Sequence, residues 1–122
     1  MIVAGFGFRR AATVESLSDA LQQTGAAGTV AALATASDKA RSAAFCRFAE
    51  TISLPVHAVD ADSLARQETI TRSQASLTAR GTGSLAEAAA LAAAGQGARL
   101  LGPRVVSRDG LATCALAKGQ KS

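Results

Sequence analysis

A chain of 122 residues, 48% hydrophobic and 18% charged, is one ordinary domain able to bury a core unaided, which excludes a disordered chain or a disulfide-stapled miniprotein. No apolar run is long enough to span a bilayer, and the net charge of +4 comes from 13 basic residues spread along the chain, with no run longer than Arg9-Arg10. With four Phe and no Tyr or Trp, the stacking platforms of a single-strand nucleic-acid binder are missing, so a smaller polyanion fits the charge at least as well.

Residues 2–8 read as a first strand that runs into a glycine-spaced turn at Gly5 and Gly7, with Arg9 and Arg10 following. A helix is predicted from about Thr13 to Thr24, with Val14, Leu17 and Leu21 on one face, Thr13 as its cap and Gly25 at its end. Strand, tight loop and helix amino terminus together suit an anion. Glycines admit a ligand close to the backbone, the first helical N–H groups are unpaired, and two arginines can grip a carboxylate or phosphate. The alternative is that Gly5 and Gly7 only shape a turn and both arginines are solvated. Phe6 and Phe8 are the aromatics expected to reach the surface.

Thr29 to Ala36 is a second strand, ending in Ser37-Asp38-Lys39, where Lys39 is read either as part of the site or as a surface partner of Asp38. A helix over about Ala40 to Ser53 carries the core stripe Phe45, Phe48, Ala49 and Ile52, and Pro55 halts it. Val56 to Val59 is a third strand, so the alternation implies a parallel sheet with right-handed crossovers. After a short helical turn at Asp62 to Arg66, the polar stretch Gln67 to Gly83 shows little periodicity and reads as a functional or mobile loop.

Arg80-Gly-Thr-Gly-Ser84-Leu-Ala-Glu87 then opens an alanine-rich helix to about Ala94. Ser84 and Glu87 have capping-box spacing, in which glutamine serves as well as glutamate, and the helix is apolar nearly all round. Ala98 to Ser107 is a fourth strand interrupted at Pro103, and Leu111 to Ala117 a fifth, joined by Arg108-Asp109-Gly110 as an antiparallel hairpin. The expected fold is an α/β three-layer sandwich: a mixed five-stranded sheet with helices on both faces, one domain over residues 1–118 and a frayed tail over 119–122. Cys46 and Cys114 are expected as buried free thiols of a reducing compartment, and the absence of a signal-peptide pattern points to the cytoplasm.

In a parallel sheet the ligand crevice lies beyond the carboxyl ends of the strands, which would gather Arg9, Arg10, Lys39 and the loop Gly81, Gly83, Ser84 on one edge. Gly5-Phe-Gly-Phe-Arg-Arg10 begins like a dinucleotide fingerprint but has Arg10 in place of the third glycine, and no acidic residue ends the second strand. His57, the only histidine, reads as structural, so no metal site is expected. Glu87 is a weak candidate for a catalytic base, since capping already accounts for it.

Ile2 to Arg10, Thr29 to Lys39, Leu54-Pro-Val-His57, Gly81 to Leu91 and the Leu100-Leu101 strand with its return resemble CobE and the carboxy-terminal domain of CbiG, nearly end to end. The resemblance implies an α/β sandwich and a role in cobalamin (corrin-ring) biosynthesis. CbiG is associated with opening a lactone on a corrinoid intermediate, whereas the free-standing domain resembles CobE. Two positions depart from the family pattern: no acidic residue lies among Ala40 to Ala43, and Arg104 stands where a lysine is common.

Precorrins carry carboxylates around a flat apolar ring, so the implied ligand is a tetrapyrrole held by Gly5, Gly7, Arg9, Arg10, Lys39, Gly81, Gly83, Ser84 and Arg104, with no cofactor. Pathway enzymes such as methyltransferases, and a second copy in a homodimer, are the implied protein partners. A carrier or accessory protein ranks first, a lactone-hydrolase-like enzyme second, and an anion- or nucleic-acid-binding module third.

Overall fold

A computed structural model describes residues 1–120. Within them five α-helices and six strands follow in the order β1 (Ile2–Phe8), α1 (Val14–Gln23), β2 (Val30–Ala36), α2 (Ala43–Ile52), β3 (Val56–Val59), α3 (Ala61–Ala65), α4 (Gln74–Arg80), α5 (Leu85–Ala94), β4 (Arg99–Leu100), β5 (Val105–Val106) and β6 (Ala112–Lys118). The sheet order is β3-β2-β1-β6-β4, with β5 also on β6. β1, β2 and β3 are parallel, whereas β6 runs antiparallel to β1, β4 and β5. The mixed three-layer sandwich is as the sequence predicts. The strand count is not, because Gly102-Pro103 splits the fourth strand into two short pieces on β6.

The two faces of the sheet bury different chemistry. On one, Ala4, Phe6, Leu33, Cys114 and Leu116 pack under α1 and α2 through Leu17, Leu21, Phe45 and Phe48. Phe6 is fully buried with its ring edge-on to Phe45 and Phe48, against the expectation that it reaches the surface, whereas Phe8 stacks on Phe45 at 5.5 Å and stays partly exposed. On the other face Val3, Ala32, Ala34 and Ala36 meet α3 and α5 through Leu64, Leu85, Ala88 and Ala89. Strand alternation puts Val3, Gly5 and Gly7 on this side. A Cβ on Gly5 would lie 2.0 Å from the Ala86 carbonyl oxygen and 2.5 Å from the Ala90 nitrogen. Gly5 and Gly7 therefore lie within a strand, and Gly5 makes room for the backbone of α5. The alanines of that helix allow the same close approach from above, which is why it is buried from Leu85 to Leu91.

Local signals set the boundaries. Thr13 and Ser16 form a reciprocal capping box on α1, and Ser16 Oγ donates to Asp109 at 2.6 Å, tying the helix to the β5–β6 turn. Ser42 caps α2, which starts at Ala43, three residues later than predicted. The stretch Gln67–Gly83 is not a structureless loop: Ser73 caps α4, and Gly81, with φ +70°, closes it. Gly119, placed in the tail by the sequence reading, is buried and its N–H donates to the Met1 carbonyl at 2.9 Å; residues 121 and 122 of that tail lie outside the described part.

Both cysteines are free, but only Cys114 is buried, where desolvation pushes its thiol up and out of reactive range; Cys46 is exposed on α2. A native-state titration with an aromatic disulfide reagent is expected to modify one thiol per chain, Cys46. The second should react only after denaturation, and fast release of two equivalents would refute the burial.

Candidate functional site

Where β1 and β2 end, Phe8, Arg9 and Lys39 form one wall of an open groove of about 520 Å³. The second wall is α4, through Ser76 and Arg80, and the floor and far end come from Leu85, Arg104 and the β5–β6 hairpin. Four cations, Arg9, Lys39, Arg80 and Arg104, line it together with apolar Phe8, Leu85, Val106 and Leu111, and no acidic residue does so among the described residues. The volume is within the range of small-molecule sites.

Lys39 is half-buried in this wall. Its Nζ donates to the Phe8 carbonyl at 2.6 Å and sits 4.8 Å above the Phe8 ring. Burial, then the Arg80 guanidinium, hold its pKa below the ordinary lysine value; Asp38 opposes this and Arg10 adds to it. The repulsion from Arg80 exceeds the attraction of Asp38, and an anion in the groove would relieve it. Asp38 does not pair with Lys39. It takes a bidentate grip from Arg80, at 2.6 and 2.8 Å, which lowers the pKa of its carboxyl.

The other residues named from the sequence are dispersed. Arg10 is exposed outside the groove and acts on Lys39 only through space. Gly7 lines the groove; Gly5 is covered by α5. Gly81 and Gly83 border a separate cavity, and Gly83 is pressed against the Thr71 carbonyl. Ser84 is buried and its Oγ accepts from the Glu87 N–H at 3.3 Å, so the amino end of α5 is closed by its own cap. α1 is likewise capped by Thr13 and Ser16. The groove is cationic through side chains; α1 starts outside it, and α5 reaches it through Leu85.

Glu87 departs furthest from expectation. Its side chain does not return to Ser84 to complete a capping box. One oxygen accepts from the N–H groups of Ile70 and Thr71 at 2.6 and 2.9 Å, and the other from Thr71 Oγ1 and the Arg104 N–H at 2.6 and 2.8 Å. Burial pushes its pKa up, but the bonds from Thr71, Arg104 and Ile70 outweigh it and bring the carboxyl below the ordinary value. The residue is fully buried and joins the 70–71 loop and the Arg104 strand end to α5. It lies outside the groove and has no lone pair left for a reacting atom.

Arg80, Ser73 and Ser76 went unassigned in the sequence. The available signal was a cap serine at Ser73 with Arg80-Gly81 seven residues on, a short helix with a basic last turn and a glycine stop. His57 lies exposed on edge strand β3, and no cluster of three metal-ligating side chains occurs among the described residues.

Fold and groove define a mixed α/β domain with a cationic, partly apolar groove at its parallel-strand edge. The chain belongs to the cobalamin synthesis G C-terminus family, whose model matches residues 2–117. It is 32% identical to CobE, a protein from the cobalamin (vitamin B12) biosynthetic pathway, over 96% of this chain and 89% of that one, with a TM-score of 0.82. Cobalamin biosynthesis protein chiG from Agrobacterium tumefaciens str. C58 is 41% identical over 99% of this chain and all 100% of its own, with a TM-score of 0.76. A cobalamin biosynthesis protein G homologue from Sulfolobus solfataricus, 18% identical, shares the fold over 95% of this chain and 36% of its own, at a TM-score of 0.69. No curated protein sequence matches the chain. The resemblance read from the sequence is borne out, and the chain is a cobalamin biosynthesis protein of the CobE and CbiG type.

Proposed function

We propose that the chain binds a polycarboxylate precorrin in the groove and serves the corrin pathway as a carrier or accessory protein. The observation that carries this reading is the convergence of Arg9, Lys39, Arg80 and Arg104 on a half-apolar groove with no acidic lining among the described residues. A precorrin offers the complement: a flat apolar ring for Phe8, Leu85 and Leu111, and rim carboxylates for the cations, best served by the paired donors of arginine. The binding reading leads over a hydrolase because Glu87, the one candidate base, is turned away with both oxygens engaged. A cytoplasmic setting and hand-over to enzymes such as methyltransferases go with this reading. No helix of the described residues is long and apolar enough to cross a membrane.

Absorption titration of the purified protein with late precorrins tests it. Lys39→Glu is expected to weaken binding at least about tenfold while the melting temperature stays close to wild type, because partly exposed charges add little to stability. Arg10→Glu, outside the groove, should weaken it far less. Equal affinities for wild type and Lys39→Glu would remove the groove from the site, and salt-sensitive duplex DNA binding without tetrapyrrole affinity would favour a nucleic-acid module.

A further inference from the structure

Among the four cations of the groove, Arg80 alone has a carboxylate partner in the described residues, and the partner is built as a ligand carboxylate would be. Asp38 meets both terminal nitrogens in parallel, at 2.6 and 2.8 Å. The two sides of the pair are unequally held. The Asp38 side chain is 65% exposed and approaches from the solvent side, whereas that of Arg80 is 23% exposed and forms part of the groove wall.

The helix that carries Arg80 is itself lightly seated. None of the seven residues of α4 is buried, and its exit is the left-handed Gly81 at φ +70°. Ser76, on the groove side of α4, keeps a buried hydroxyl with no partner among the described residues. The seated position therefore leaves a hydrogen bond unmet, and an element with few apolar contacts is the kind that opens locally.

We propose that Asp38 is an internal competitor for the ligand of this groove: it holds Arg80, and α4 with it, until a carboxylate of the ligand takes the guanidinium over. The inference rests on the polycarboxylate reading of the groove and adds its regulation. Exchange of one carboxylate for another leaves Arg80 paired throughout, releases Asp38 to solvent and frees α4 to adjust over the bound ring. A ligand without a suitably placed carboxylate cannot displace Asp38, so the pair selects for acidic side chains on the ring.

The test is a fluorescence titration at low salt with uroporphyrin, a porphyrin carrying acetate and propionate groups, on the full chain and its variants. Asp38→Asn should bind about three- to fivefold tighter than wild type, the factor that a surface ion pair commands. Arg80→Ala should bind more weakly, and the double variant should match Arg80→Ala, since removing the competitor matters only while Arg80 is present. Unchanged or weaker binding by Asp38→Asn, with Lys39→Ala still impaired, would overturn the competition and leave the groove reading standing. A gain from Asp38→Asn that persists in the Arg80→Ala background would also overturn it, as a general effect of charge. No binding by wild type and Asp38→Asn alike would bring down the groove reading, and the proposal with it.

Discussion

Gly5→Ala is expected to destabilise the fold by about 3 kcal/mol or more, at or above the upper end of ordinary overpacking. The added methyl would stand 2.0 Å from the Ala86 carbonyl oxygen and 2.5 Å from the Ala90 nitrogen. Both are backbone atoms of a buried helix, so no side chain can swing aside to make room. α5 would have to rise from the sheet, separating the alanine-lined layer from Val3, Ala34 and Ala36. Gly7→Ala is the control: its methyl would meet the movable Thr113 hydroxyl at 2.9 Å and should cost roughly 1 kcal/mol. Urea unfolding of the two variants measures the difference. A Gly5→Ala protein as stable as wild type would show that α5 does not rest on β1 in this way.

Glu87→Gln should cost about 2–4 kcal/mol, although a glutamine would be nearly silent in a capping box. With the amide nitrogen replacing the oxygen that faces Thr71 Oγ1, the hydroxyl can turn to accept. The Arg104 N–H is then left facing a donor. The opposite orientation orphans the N–H groups of Ile70 and Thr71 instead. Either way a buried donor loses its acceptor, and the remaining bonds lose the strength that the charge gave them.

The same residue sets a pH signature. Its folded pKa lies below the ordinary carboxylate value of about 4.3, so its stabilising contribution is fully present above that pH and is lost as pH falls through the folded value. The stability gap between wild type and Glu87→Gln should therefore be constant near neutrality and narrow in the acid range. A gap that stays constant down to acid unfolding would mean that Glu87 titrates alike in both states.

These two residues also show where sequence reading stopped. Glycine at positions 5 and 7 predicts that something comes close to the backbone, and something does. Periodicity within nine residues cannot say whether the visitor is a ligand or a helix eighty residues on. Ser84 and Glu87 have capping-box spacing, and the serine caps as predicted. The glutamate found better donors in Ile70, Thr71 and Arg104, brought within reach only when the chain closes over α5. The polar stretch before Gly83 hid α4 for a related reason: with no buried residue, that helix has no apolar stripe to reveal it.

What the amino-acid sequence determined by itself is what adjacent residues decide. Apolar runs and caps placed β1, α1, β2, β3 and α5, the Asp109-Gly110 turn made the last strands antiparallel, and the order of motifs marked the family. The tertiary structure alone decided which cations meet. Arg9, Lys39, Arg80 and Arg104 are scattered over 96 residues and converge because parallel strands end on one edge and α4 folds back across it. A charge 42 positions away, not the neighbouring lysine, became the partner of Asp38. Local conformation depends on neighbours a few residues apart; a site depends on which distant segments the sheet brings together, and no spacing rule carries that information.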